Sequence, residues 1–293
     1  MAVLRALLLL VLFAACATVI AAYLVSEKPA TQRAHTPAAV AQEQVAFAPM
    51  PSAAESGTIE PGGFAHVRRG GLSYANPAEF TYEVPQDVID ASQRHSASGR
   101  VWYSFHPDAT GPAPVILLLH GSKRNGLSMI DMWRETAKAQ GLVLIAPDAR
   151  GDSWGADDLS PALLDQILDT AAQDQQIDRD RIYLFGHSSG AIYAAHLINR
   201  TQGPWKAAVL HGGFGTADHY RPANEAKPVR LYLGEEDALF SVDDAVETGK
   251  ALARAGHSVT LQRIPGHTHW FYVIGPSVAR DSWQWLRSLP PHG

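Results

Sequence analysis

From residue 115 onward the chain alternates between short, almost wholly apolar runs and longer stretches with helical periodicity. The runs span 115–119 (VILLL), 142–146 (LVLIA), 182–185 (IYLF), 207–210 (AAVL), 229–233 (VRLYL) and 259–264 (VTLQRI). A strand with one wet face alternates apolar and polar residues, whereas a strand covered on both faces reads as a continuous apolar run. The stretches between the runs supply the covers. Residues 128–140 read as a helix with Ser128 and Asp131 in capping-box spacing and Gly141 as its stop. Residues 161–172 follow a capping Ser160, open on Pro161, and place Leu164, Ile167, Leu168 and Ala171 on one face. Further helices are expected over 191–199, 242–255 and 276–286. This pattern specifies a three-layer α/β fold: a mostly parallel central sheet with helices on both faces.

A chain of 293 residues with 46% hydrophobic content can bury one sizeable core. Globular text occupies residues 58–293 and opens with two β-like pieces, 79–84 and 100–105, rich in Val, Tyr, Trp and Phe. Residues 27–57 are Ala- and Pro-rich and suit a flexible linker. In residues 1–26, Arg5 is the only charged side chain, and the run from 6 to 26 is apolar or small. That composition is expected of a signal peptide or signal anchor, since a bilayer span takes about 20 apolar residues. The expected location is therefore outside the cytoplasm, periplasmic or secreted, with a membrane tether where this segment is retained. The single cysteine, Cys16, lies in that segment, so the globular part has neither a disulfide nor a thiol nucleophile. A formal charge of −5 argues against nucleic acid as a partner. No phosphate-binding glycine motif is present, and no cofactor or metal is expected.

In an open parallel sheet, chemistry collects beyond the carboxyl ends of the strands. There the run 182–185 passes through Gly186-His187-Ser188-Ser189-Gly190 into a helical stretch. This is G-x-S-x-G in the strand-turn-helix context of a nucleophile elbow, in which glycines make room for a tight turn and the serine points its hydroxyl outward. A serine needs a base to take its proton and a carboxylate to orient that base, in the order Ser, Asp or Glu, His. Gly234-Glu235-Glu236-Asp237 follows the run 229–233, and Gly266-His267-Thr268-His269-Trp270 follows the run 259–264. Asp237 is preferred over Glu235 and Glu236 because it lies deepest in its loop and precedes Ala238-Leu239-Phe240, which can pack it into place. His269 and His267 compete as base. Trp154 and Trp270, in loops at the same end, are candidates to line a substrate pocket, and Lys123 and Arg124 read as a solvated loop.

These residues resemble the α/β-hydrolase superfamily, and within it exported esterases of the polyhydroxybutyrate depolymerase and feruloyl esterase type. The likeness covers roughly residues 100–289 and rests on VILLLHG (115–121), APD (146–148), IDRDR (177–181), the elbow, GEED (234–237) and GHTHWFY (266–272) with Trp283. The resemblance implies a serine esterase with a Ser188, His269 and Asp237 triad. It favours His269 because the family histidine comes shortly before an aromatic pair. It also implies an oxyanion hole made by the backbone N–H groups of Ser122 and Ser189. The implied substrate is a small or polymeric carboxylic ester. Two alternatives stay open at this level: a peptidase or amidase on the same fold, and a non-catalytic tethered binding protein.

Overall fold

A computed structural model describes residues 59–70, 72, 80–107 and 111–290. The leader expected over 1–26 and the linker expected over 27–57 lie outside the described residues. The described strands are β1 (Phe64–Arg68), β2 (Gln93–Ala97), β3 (Arg100–Phe105), β4 (Ala113–Leu119), β5 (Val143–Pro147), β6 (Ile177–His187), β7 (Trp205–His211), β8 (Pro228–Gly234) and β9 (Ser258–Ile264). The helices are α1 (Gln86–Ala91), α2 (Gly126–Gln140), α3 (Pro161–Asp174), α4 (Ser189–Arg200), α5 (Val242–Arg254) and α6 (Phe271–Leu286).

All nine strands join one sheet in the order β1-β9-β8-β7-β6-β4-β5-β3-β2. Only β3 runs antiparallel to its neighbours, β2 and β5; every other pair is parallel. The apolar runs occupy the centre, and each of Val115 to Leu119 is wholly buried. Their side chains divide between two cores: Val115, Leu117 and Leu119 face α3, α4 and α5, while Ile116 and Leu118 face α2 and α6. Burying each such side chain contributes about 1.5–3 kcal/mol. The chain leaves β4 for β5 on one side and returns to β6 on the other, so the order reverses at β4. The loops after β4 and β6 therefore open side by side at the carboxyl end of the sheet.

Several local expectations need correction. Helix α2 starts two residues before Ser128, and its cap is Asn125, whose side chain accepts from the Ser128 amide at 3.2 Å. Asp131 instead accepts from the Tyr82 hydroxyl and pairs with Arg134. Gly141 ends the helix in the left-handed region at φ 65°, as the sequence suggests. Helix α6 begins at Phe271, five residues before Pro276, because Phe271 and Ile274 are buried against the sheet; the proline lies inside the helix. Residues 80–84 form no strand, and Glu79 lies outside the described residues. Strands β1 and β2 had no apolar signature, since edge strands keep polar faces.

Among the described residues, no helix is long and apolar enough to cross a membrane. Asn125→Ala removes the α2 cap and is expected to cost about 1 kcal/mol. In thermal unfolding this corresponds to a fall of about 2–4 °C, whereas Ser128→Ala, which leaves the Asn125 side-chain cap in place, should change the midpoint less.

Candidate active site

The turn between β6 and α4 puts Ser188 at φ 53°, ψ −121°, a left-handed conformation for a residue with a side chain. Close backbone approach holds it there. A Cβ on Gly186 would lie 2.3 Å from the Gly190 carbonyl oxygen, and one on Gly190 would lie 2.1 Å from that of Leu119. On the other side, a Cβ on Gly213 would meet the Ser188 carbonyl oxygen at 2.2 Å, and the Ser188 amide donates to the His211 carbonyl at 2.9 Å. The hydroxyl is thereby forced away from the sheet.

Three of the sequence candidates meet in one row of hydrogen bonds. His269 Nε2 lies 3.0 Å from Ser188 Oγ, and His269 Nδ1 lies 2.8 Å from Asp237 Oδ2. A carboxylate only accepts, so Nδ1 carries the ring proton and Nε2 is left to accept from the serine hydroxyl. The Asp237 side chain is 1% exposed, and its other oxygen accepts from the Leu239 and Phe240 amides at 2.9 and 3.0 Å. Phe240 also stacks on the His269 ring at 5.7 Å. Glu235 is turned away, held by both its oxygens to Arg68, and Glu236 is exposed.

The loop after β4 carries Gly121 and Ser122 beside the serine, close enough that a Cβ on Gly121 would come within 3.4 Å of Ser188 Cβ. Among the described residues, neither the Ser122 nor the Ser189 amide donates to another protein group. Ser189 is the first residue of α4, where helix amides point outward with a favourable dipole for negative charge.

Trp154 belongs elsewhere than the sequence suggests. It is 2% exposed, stacks on Tyr193 at 5.1 Å and donates from its indole to the His120 carbonyl at 2.8 Å. It braces the loop after β4 from below and shows no face to a pocket. The same brace includes the Lys123 amide donating to Asp152 O at 2.8 Å and the Ala149 amide donating to His120 Nε2 at 3.0 Å. His120 therefore carries its proton on Nδ1, which donates to Gly121 O. Asp148 closes the brace by accepting from the Gly126 amide at the start of α2. Trp270 is half-buried and packs edge-on against the exposed Phe80 at 5.7 Å. Arg124 is held among the rings of Tyr82, Trp270 and Tyr272 and donates to the Tyr82 carbonyl at 2.9 Å.

Sequence reasoning passed over His211 and Gly212-Gly213 in the layer beneath. His211 ends β7 under the serine, and Gly212, just past it at φ 55°, brings the chain against His269 and Asp237. The signal available was His-Gly-Gly at the carboxyl end of an apolar run. His187, His211 and His267 are buried in contact with one another. Burial, reinforced by mutual repulsion, pushes the His187 and His211 rings well below the ordinary histidine range, and burial brings His267 down to about 4.

A cavity of about 460 Å³ between the β2–β3 turn and the start of α3 shares no lining residue with the Ser188 site. Among the described residues, no cluster could hold a metal ion.

The chain matches the dienelactone hydrolase family over residues 102–286. Among curated proteins it is similar to a bifunctional acetylxylan esterase/xylanase of Neocallimastix patriciarum, 27% identical over 148 residues that cover 46% of this chain; the chain spans only 22% of that protein's length. A carboxylesterase from Mesorhizobium loti is 18% identical with a TM-score of 0.55, over 68% of this chain and 100% of that one. A thermostable esterase reaches 18% and 0.55 over 68% of this chain and 63% of that one. A ferulic acid esterase reaches 15% and 0.54 over 67% of this chain and 95% of that one. At such identities the likenesses establish the α/β-hydrolase fold.

The buried imidazoles have a consequence for stability. Their folded values lie below the unfolded value near 6.5, so between the two the unfolded chain binds more protons and stability falls as pH falls. For His267, moving from 6.5 to about 4 corresponds to about 3 kcal/mol lost across that window. Melting temperatures measured between about pH 8 and pH 4 should decline below about pH 6.5, and His267→Phe should flatten the decline.

Proposed function

Because the chain belongs to the dienelactone hydrolase family, we propose that it is a serine hydrolase that cleaves carboxylic esters through an acyl-enzyme intermediate. The observation that carries this is the unbroken Asp237–His269–Ser188 row ending on a serine held at φ 53° at the start of a helix. In the first half-reaction His269 Nε2 takes the hydroxyl proton as Ser188 Oγ attacks the ester carbonyl. Asp237, fixed by two backbone amides, holds the ring in the one tautomer that can accept that proton and stabilises the imidazolium that forms. The Ser122 and Ser189 amides face the developing oxyanion; each such donor is worth about 2.7–4 kcal/mol in the transition state. The imidazolium then returns its proton to the departing alcohol, leaving an acyl-serine. Water repeats the sequence in the second half-reaction and releases the acid and free Ser188.

Esterases among the curated and structural relatives support an ester substrate over an amide. Trp270, next to His269 in the chain, and the exposed Phe80 packed edge-on against it offer apolar surface to an acyl or alcohol group. The apolar 6–26 run supports action outside the cytoplasm, with release or tethering decided by the fate of that segment.

A fluorophosphonate probe should label the wild type and leave Ser188→Ala unlabelled. On a p-nitrophenyl ester, Ser188→Ala and His269→Ala should each lose about 10⁴-fold or more in kcat, while His267→Ala keeps far more activity. Equal labelling of Ser188→Ala, or loss confined to His267→Ala, overturns the assignment.

A further inference from the structure

Beneath Ser188 runs a row of three imidazoles to which the reaction above assigns no task. His187 ends β6, His211 ends β7 and His267 follows β9. Nδ1 of His187 lies 3.1 Å from Nδ1 of His211, and Nε2 of His211 lies 3.0 Å from Nε2 of His267. The three side chains are 5%, 0% and 0% exposed, which disfavours charge on any of them.

Each contact between two ring nitrogens needs one proton, and a neutral ring has one to give. His211 has both its nitrogens engaged, so the protons must run head to tail along the row. In one order His267 donates to His211, His211 donates to His187, and His187 keeps its proton on Nε2. In the other order His187 donates to His211 and its Nε2 is bare.

What Nε2 of His187 faces distinguishes the two. A Cβ built on Gly121 would lie 3.1 Å from His187 Cδ2, 3.5 Å from its Nε2 and 3.4 Å from Ser188 Cβ. This edge of the ring thus opens on the narrow space shared by the Gly121–Ser122 turn and the serine, where the ester oxygen becomes negative. His269, whose ring centroid is 5.2 Å from that of His187, Tyr272, edge-on at 6.1 Å, and Arg124 also face this ring, and the His211 main chain favours its protonated form. A bare nitrogen there would oppose the oxyanion, and an N–H would support it.

We propose that the His187–His211–His267 row is ordered with the His187 Nε2 proton facing the Gly121–Ser122 turn, so that His187 supplies a third donor to the substrate oxyanion. His211 and His267 are positioning residues that keep the proton at that atom. This rests on Ser188 being the nucleophile, and the two ideas fail separately.

In ¹⁵N spectra of histidine-labelled wild type at about pH 8, His187 should show a protonated Nε2 and a bare Nδ1, and His211 the reverse. A bare His187 Nε2 overturns the order even if Ser188 labels, whereas absence of fluorophosphonate labelling overturns the nucleophile and leaves the spectra to be read independently. Kinetics give a second test. In His187→Gln the amide nitrogen takes the place of Nε2, and in His187→Asn it takes the place of Nδ1. Asn should lower kcat about 10²-fold with KM near wild type, and Gln should retain activity within a few-fold. A purely structural row, which needs only the contact to His211, predicts the reverse ranking, and that ranking would sink the proposal.

Discussion

Where α4 leaves the sheet, Gly190 sits so close to the end of β4 that a Cβ would fall 2.1 Å from the Leu119 carbonyl oxygen and 2.6 Å from that of His120. That approach seats the start of the helix directly on the loop that carries Ser122. With Gly186 below and Gly213 alongside, the backbone around Ser188 is closed in on three sides. The left-handed φ costs of order 1–3 kcal/mol and persists because the neighbouring strands leave no alternative path. Everything else at the site is arranged around this fixed point. Asp237 and His269 come from loops after β8 and β9, and the chain after β7 fills the gap with Gly212-Gly213, which have no side chains to separate His269 from the serine.

The four histidines around that point sit in two different environments. In the proposed reaction His269 gains a proton; of the four, it alone has a buried carboxylate on its Nδ1, and its side chain remains 22% exposed. His187, His211 and His267 pack against each other and against rings such as Phe271, and burial favours their neutral forms. A cationic His187 beside His269 would repel the imidazolium. Sequence proximity misleads here: His187 is next to the nucleophile along the chain yet faces away from the carboxylate, while His269 is 81 residues distant and faces both.

The central strands, their order of appearance and the elbow were legible because they follow from periodicity and from the spacing of small residues. Ser188, Asp237 and His269 could be nominated from their places after successive apolar runs. The rest was hidden for identifiable reasons. Asn125 caps α2 from outside the periodic stretch, and its competitor Ser128 satisfied the same spacing rule. Pro276 resembles a helix start, although burial of Phe271 and Ile274 extends the helix past it. Trp154 lies in a polar loop, and only tertiary contact shows that its indole is spent on the His120 carbonyl. The imidazole row joins residues 24 and 56 positions apart, a pairing that no local pattern encodes.

The upper boundary of the site depends on a strip of chain that the sheet does not hold. Residues 80–85 make no strand; they are fixed by Tyr82, which stacks on Tyr272 at 4.1 Å and donates to Asp131 at 2.7 Å. Arg124, four residues past His120, sits among Tyr82, Trp270 and Tyr272 and grips the strip through the Tyr82 carbonyl. The guanidinium is thus a tie between the loop that presents Ser122, the loop that presents His269 and the strip that crosses both. Each ring contact of this kind is worth about 0.5–1 kcal/mol at an exposed site. Three of them on one side chain make the tie between these loops and the strip stronger than any single contact.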